Sequence, residues 1–124
     1  MTEEQAWSYL AGLIDGEGCV YFNPKDLNRC LTISTTEEDL RDGCFEVLDF
    51  LDIRYKVSAQ PRQKEHHAVC YDIRIHYFEG FLSVYENCPL RSRRKRSKLQ
   101  QILLSYSRKS YTAVQPLKEG RIDA

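Results

Sequence analysis

Glu17 is the residue on which chemistry would turn, because it is a carboxylate set between two glycines, Gly16 and Gly18. Glycines on both sides let the backbone bend and leave room for a phosphate and a cation beside the acid. Read without its surroundings, such a triplet is more often a plain solvated turn. A second cluster is Arg91-Ser92-Arg93-Arg94-Lys95-Arg96-Ser97-Lys98, with six bases in eight residues ahead of a helical stripe. Cations at a helix start oppose the macrodipole, so the run costs stability and points to an anionic partner, a solvated basic face or a localisation signal being the plainer readings. His66 and His67 are adjacent in a polar stretch and read as solvated loop rather than as a metal site. Five cysteines, with no C-x-x-C pair and no histidine at finger spacing, read as reduced thiols in a reducing compartment.

The charge balance is zero over 124 residues, yet it is split along the chain. Residues 1–52 hold twelve acids against three bases, and residues 53–124 hold fifteen bases against six acids. That asymmetry fits a polyanion-binding surface supplied mainly by the second half. At 42% hydrophobic and 29% charged, the composition is that of one globular domain. No stretch reaches membrane-spanning length, and the acidic Glu3 and Glu4 do not resemble a signal-peptide head, so we expect an intracellular, non-secreted protein without a membrane partner.

These residues need elements to hold them. Thr2 and Gln5 form a capping-box pattern, and Ala6, Tyr9, Leu10, Leu13 and Ile14 recur at helical spacing, predicting a helix from about Glu3 to Ile14 that Gly16 and Gly18 stop. Cys19 to Phe22 and Leu31 to Thr35 predict two paired strands. Thr35 or Thr36 would cap a second helix with an acidic first turn and a stripe of Leu40, Cys44, Val47, Leu48 and Leu51. Arg54 to Ala59 and Val69 to Ile75 alternate as a second hairpin around a loop at 61–67. Phe78, Phe81, Leu82 and Tyr85 mark a third helix, Pro89 breaks it, and Leu99, Ile102, Leu103 and Tyr106 mark a fourth. The order is αββαββαα, with residues 1–111 as one domain and a loosely structured tail over 112–124. The two αββ halves could be called an internal repeat, yet the glycine-rich turn after the first helix has no counterpart in the second half, so the chain carries one motif.

The segment Leu10-Ala11-Gly12-Leu13-Ile14-Asp15-Gly16-Glu17-Gly18 resembles the LAGLIDADG signature of homing endonucleases, matching seven of nine letters. The resemblance is strongest in the motif and the strand after it, and extends loosely over about residues 3–106. It implies an α+β fold of αββαββα type with a four-stranded antiparallel saddle-shaped sheet. Gly12 costs roughly 1 kcal/mol on a helix against alanine, and Gly12 and Gly16 at i and i+4 allow two helices to approach closely. The family packs two motif helices together, so a chain with one motif implies a homodimer with Leu10, Gly12, Leu13, Asp15 and Gly16 at its interface. Asp15 would brace the partner helix. Two copies of Glu17 brought together, with a Gly16 carbonyl, would hold Mg²⁺ or Mn²⁺, and Lys95 would sit by the scissile phosphate as a second catalytic residue. The family more often has aspartate where Glu17 stands.

Strand alternation supplies a binding surface. With Val20 and Phe22 inward, Cys19, Tyr21, Asn23, Lys25, Thr32, Ser34, Arg54, Lys56, Ser58, Asp72 and Arg74 fall on an outward face that is polar and mostly basic. Such a face fits the major groove of double-stranded DNA. The expected activity is a metal-dependent double-strand cut at a long, near-palindromic site. The alternatives are a relative that binds DNA without cutting and an intron maturase, whose partner would be RNA; an intact Glu17 favours cutting over both.

Overall fold

The structure, a computed structural model, describes residues 1–60 and 68–113, with side chains as far as 106. In chain order it contains α1 (Glu3–Glu17), β1 (Gly18–Asn23), β2 (Asn28–Thr35), α2 (Glu38–Phe50), β3 (Lys56–Gln60), β4 (Cys70–Ile75), α3 (Phe78–Asn87) and α4 (Arg93–Ala113). The α+β class and the αββαββα order, with a further helix after it, are as expected. The expected loops at 61–67 and over 114–124 lie outside the described residues, and residues 112 and 113 belong to α4 rather than to a loose tail.

The first helix begins as its capping box requires, with Thr2 and Gln5 exchanging hydrogen bonds of 3.1 and 2.9 Å. It ends three residues later than its glycines suggested. One helical glycine costs only about 1 kcal/mol, too little to stop a helix whose Leu10, Leu13 and Ile14 are buried. The stop comes at Gly18, the C-cap, whose backbone is extended and whose N–H donates to the Ile14 carbonyl. A Cβ at Gly18 would lie 2.7 Å from that carbonyl oxygen and 2.8 Å from the Ile14 Cα. Glycine is therefore required where the chain reverses from helix directly into strand.

The second helix is capped differently from expectation. Glu37 is the N-cap and makes no side-chain cap bond, while Thr35 accepts the Glu37 N–H at 3.0 Å in the turn before it. At its other end Asp52 has φ 59°. The Ile53 N–H donates to Leu48 O at 2.9 Å and the Asp52 N–H to Asp49 O at 3.1 Å, a Schellman closure with aspartate in the left-handed place glycine usually takes.

The sheet runs β1-β2-β4-β3, all pairs antiparallel, so the two hairpins join through their central strands β2 and β4. All helices whose packing is described cover one face. Leu31, Ile33, Ile73 and Ile75 point into a core shared with Leu10 and Ile14 of α1, Leu48 of α2, Phe81 of α3 and Leu99, Ile102 and Leu103 of α4. An antiparallel sheet can leave its second face in water, and this one does. β3 starts at Lys56, so Arg54 precedes the strand.

Candidate nucleic-acid interface and catalytic corner

The C-terminus of α1 carries Asp15, Gly16 and Glu17, and no basic residue lies in its own last turn. The missing cation arrives from α4. Lys95 donates from Nζ to the carbonyls of Ile14 and Asp15, both at 2.8 Å, and is 7% exposed. In return the Asp15 carboxylate accepts the N–H groups of Arg91 at 2.9 Å and Ser92 at 3.0 Å, just where α4 begins. Ser92 then caps α4 by accepting the Lys95 N–H at 3.2 Å. The exchange fastens the basic end of α4 beside Glu17.

This geometry refines the place of Lys95 and corrects those of Asp15, Leu10 and Leu13. Lys95 does reach the neighbourhood of Glu17, but its ammonium is bound to backbone carbonyls in a buried position rather than standing free on the surface. Asp15 braces its own chain's α4, with both carboxylate oxygens engaged there. Leu10, fully buried, and Leu13, 8% exposed, belong to the core of the single chain and are not an outward face. The outward row of α1 is Ser8, Gly12 and Gly16, four residues apart, and a Cβ at Gly12 or Gly16 would meet nothing within 4 Å.

Glu17 closes the helix, exposed, instead of following it. Arg91, Arg93, Arg94 and Arg96 around the start of α4 are exposed too, and Arg96 stacks on Tyr85 with 4.3 Å to the ring centre. Among the described residues no three His, Cys, Asp or Glu side chains are grouped to hold a metal. With the Asp15 carboxylate engaged by α4, Glu17 is the exposed acid at the end of α1.

The open sheet face starts at the same corner, since Gly18 begins β1. Across it runs a register row of Cys19, Thr32, Arg74 and Lys56, and beside it a row of Ser34, Asp72 and Ser58. Tyr21 faces Cys30 and Asn23 faces Asn28. Nine of the residues assigned from alternation therefore share this face, and Lys25 lies in the exposed turn beyond it. There Asn23 accepts the Lys25 N–H at 3.0 Å. Arg54 does not join them. Its guanidinium lies 3.9 Å from the centre of the Tyr77 ring and 3.4 Å from Glu79, at a corner also lined by Asp52 and Ile53.

The face is less basic than expected, because Arg54 stands outside it while Asp72 keeps its expected place in the middle. Asp72 accepts from Ser34 at 2.6 Å, from Gln60 at 2.8 Å and from Arg74 at 3.4 Å. The Ser34 hydrogen bond, aided by Gln60 and Arg74 against partial burial, holds this carboxyl below its ordinary range. Gln60, Cys30 and His76 are face residues that the sequence reading missed. Carrying the alternation one step beyond each predicted strand end would have found them. Burial, with Lys56 and Arg74 nearby, lowers the His76 pKa. The cysteines are all free, Cys44 and Cys88 buried with thiols pushed up to about 12 by burial, and Cys19 exposed on the polar face.

A helix-backed antiparallel sheet, with an open polar face and an acid-and-arginine corner at one end, defines the class of architecture to which comparison can be made. The homing endonuclease family model matches residues 3–103, and the chain belongs to that family. It is also 30% identical over 107 residues to an ATP-dependent DNA helicase, Hel308, of Methanocaldococcus jannaschii; the match covers 76% of this chain and 8% of the helicase. The chain therefore spans a small part of that protein's length. No helix among the described residues is long and apolar enough to cross a membrane.

Proposed function

We propose that this chain is one half of a homodimeric, site-specific DNA endonuclease of the LAGLIDADG type, which makes a metal-dependent double-strand cut at a long, near-palindromic target. The observation that carries the reading is Glu17, an exposed carboxylate that ends α1 just before β1 begins and two residues after Asp15, which holds the start of α4. Family membership over residues 3–103 supports DNA cleavage as the activity class.

Each element then has a task. The polar face, from Cys19 and Tyr21 to Arg74, would lie in the major groove and read bases, while Lys56 and the exposed arginines grip phosphates without regard to sequence. The outward row of Ser8, Gly12 and Gly16 is free of bulk and would meet the same row of a second copy. That packing would bring two Glu17 carboxylates together.

Glu17 and the Gly16 carbonyl offer only oxygen, and no Cβ at Gly16 narrows the space, so the donors fit Mg²⁺ or Mn²⁺ once a second copy and DNA phosphates complete the shell. An ion held there supplies charge neutralisation at the phosphate and lowers the pKa of attacking water. Glu17 orients; the Arg91–Arg96 segment attracts and holds the backbone; Lys95 keeps the corner rigid through α1.

Plasmid carrying the chain's own uninterrupted insertion locus tests the reading, incubated with Mg²⁺ and with EDTA. A discrete double-strand cut that requires Mg²⁺ and disappears in Glu17→Gln, with DNA retention unchanged, is the expected result. Retention of the duplex with no cut under Mg²⁺ or Mn²⁺ would leave a non-cleaving DNA-binding protein, and preference for a structured intron RNA over any duplex would leave a maturase.

A further inference from the structure

Asp72 is an awkward residue for a surface that meets phosphates, because an exposed carboxylate there would repel them. It is not exposed in that sense. Its side chain is 14% accessible, one oxygen accepts Ser34 at 2.6 Å, and the other accepts Gln60 at 2.8 Å and Arg74 at 3.4 Å. Arg74 is in turn gripped from the next strand, where its Nη1 donates to Ser58 Oγ at 3.0 Å. Its register partners are Thr32 on β2 and Lys56 on β3, so the guanidinium stands on a central strand near the middle of the face.

Resting on the DNA-binding reading above, we propose that Arg74 is a guanine reader of each half-site and that Asp72 is its positioning residue. An arginine fork has five N–H donors. Two nitrogens are committed to Ser58 and Asp72, which leaves donors for a base edge while the long side chain is already held. Holding it in advance removes much of the ordering cost that a free arginine meets on binding. A fork with donors alone matches the O6 and N7 acceptor pair of guanine. It mismatches adenine, which presents a donor beside its acceptor, and cytosine, which presents a donor. Lys56, exposed and opposite Arg74, is a point charge without a fork and attracts the backbone instead.

The test is selection from a library of random-sequence duplexes by the full chain in EDTA, so that nothing is cut, followed by affinity measurements on the selected sites. The expected consensus has a guanine at one position of each half-site. Arg74→Lys, which keeps the charge and loses the fork, should cut the preference for that guanine about tenfold or more while other positions stand. Asp72→Asn should relax the same position alone, and Lys56→Ala should weaken all sites alike and flatten the salt dependence. An unchanged guanine preference in Arg74→Lys, or a uniform loss at every position, overturns the assignment while leaving the endonuclease reading intact. Full preference in Asp72→Asn overturns the positioning role. No enrichment by the unaltered chain overturns the DNA-binding reading itself.

Discussion

Asp15 and Lys95 cap each other's helices. The Lys95 ammonium donates to two carbonyls of the last turn of α1, at 2.8 Å each, and the Asp15 carboxylate accepts from Arg91 and Ser92 at the start of α4 at 2.9 and 3.0 Å. Each residue sits at the unfavourable end of its own helix dipole, a base in the first turn of α4 and an acid in the last turn of α1. Each is placed favourably against the dipole of the other helix. The cost that the basic run imposes on α4 is thus offset in part inside the chain.

Removing either partner strips hydrogen bonds from the end of the other helix. Lys95→Met should lose about 2–3 kcal/mol of stability, because two carbonyls lose charge-assisted bonds in a site that excludes water. Asp15→Ala, which frees two N–H groups nearer the surface, should lose about 1–2 kcal/mol. Urea unfolding of both and of the double variant measures the coupling. Additive losses would show that the two caps act independently.

Asp72 ties part of the stability to acid. Its pKa in the folded chain is lowered, first by the Ser34 hydrogen bond. A depressed carboxylate contributes stability that is fully present above its unfolded value, near 3.8, and is lost as pH falls from there through the lower folded value. Thermal melts between pH 7 and pH 2.5 should show the unaltered chain losing stability over that window, with Asp72→Asn losing less. Parallel curves across the acid limb would remove Asp72 from the account.

Much of this fold is local and was legible from short patterns. The Thr2–Gln5 box, the apolar stripes of the helices and the period-2 runs of the strands each depend on residues a few places apart. What escaped is what distant contacts decide. The end of α1 is set by β1 folding straight back from Gly18, where any Cβ would press on Ile14, and the apolar spacing of α1 does not announce that reversal. Asp15 meets Arg91 and Ser92 across 76 and 77 positions, so no spacing rule could announce them. Arg54 has the alternation of a strand residue, but stacking on Tyr77 holds it outside the sheet. At the site, the nine-residue motif singled out Glu17 without showing that it is the helix's last residue.

Asp52 marks a strain that can be relieved. It takes a left-handed backbone, φ 59°, to close the end of α2, where glycine meets no steric penalty. Its backbone bond to Asp49 needs no side chain. Asp52→Gly should therefore raise stability by about 1 kcal/mol after glycine's larger entropy loss is counted, or roughly 4 °C in Tm for a domain of this size. Calorimetry decides it, and a lower Tm would mean that the Asp52 side chain contributes a contact outweighing the backbone strain.

Gly12 separates the single-chain and two-chain accounts of α1. Within one chain a methyl there meets no other element, since nothing beyond its own stretch of helix lies within 4 Å of the added Cβ. Helix propensity alone then favours Gly12→Ala by about 1 kcal/mol. Against a second copy packed along Ser8, Gly12 and Gly16, larger side chains would push the helices apart and separate the two Glu17 carboxylates. We therefore expect Gly12→Ala to leave the folded chain at least as stable, and Gly12→Leu to shift sedimentation from dimer to monomer and to abolish cutting while each chain remains folded. A Gly12→Leu chain that still sediments as a dimer and cuts would mean that the copies meet through another face.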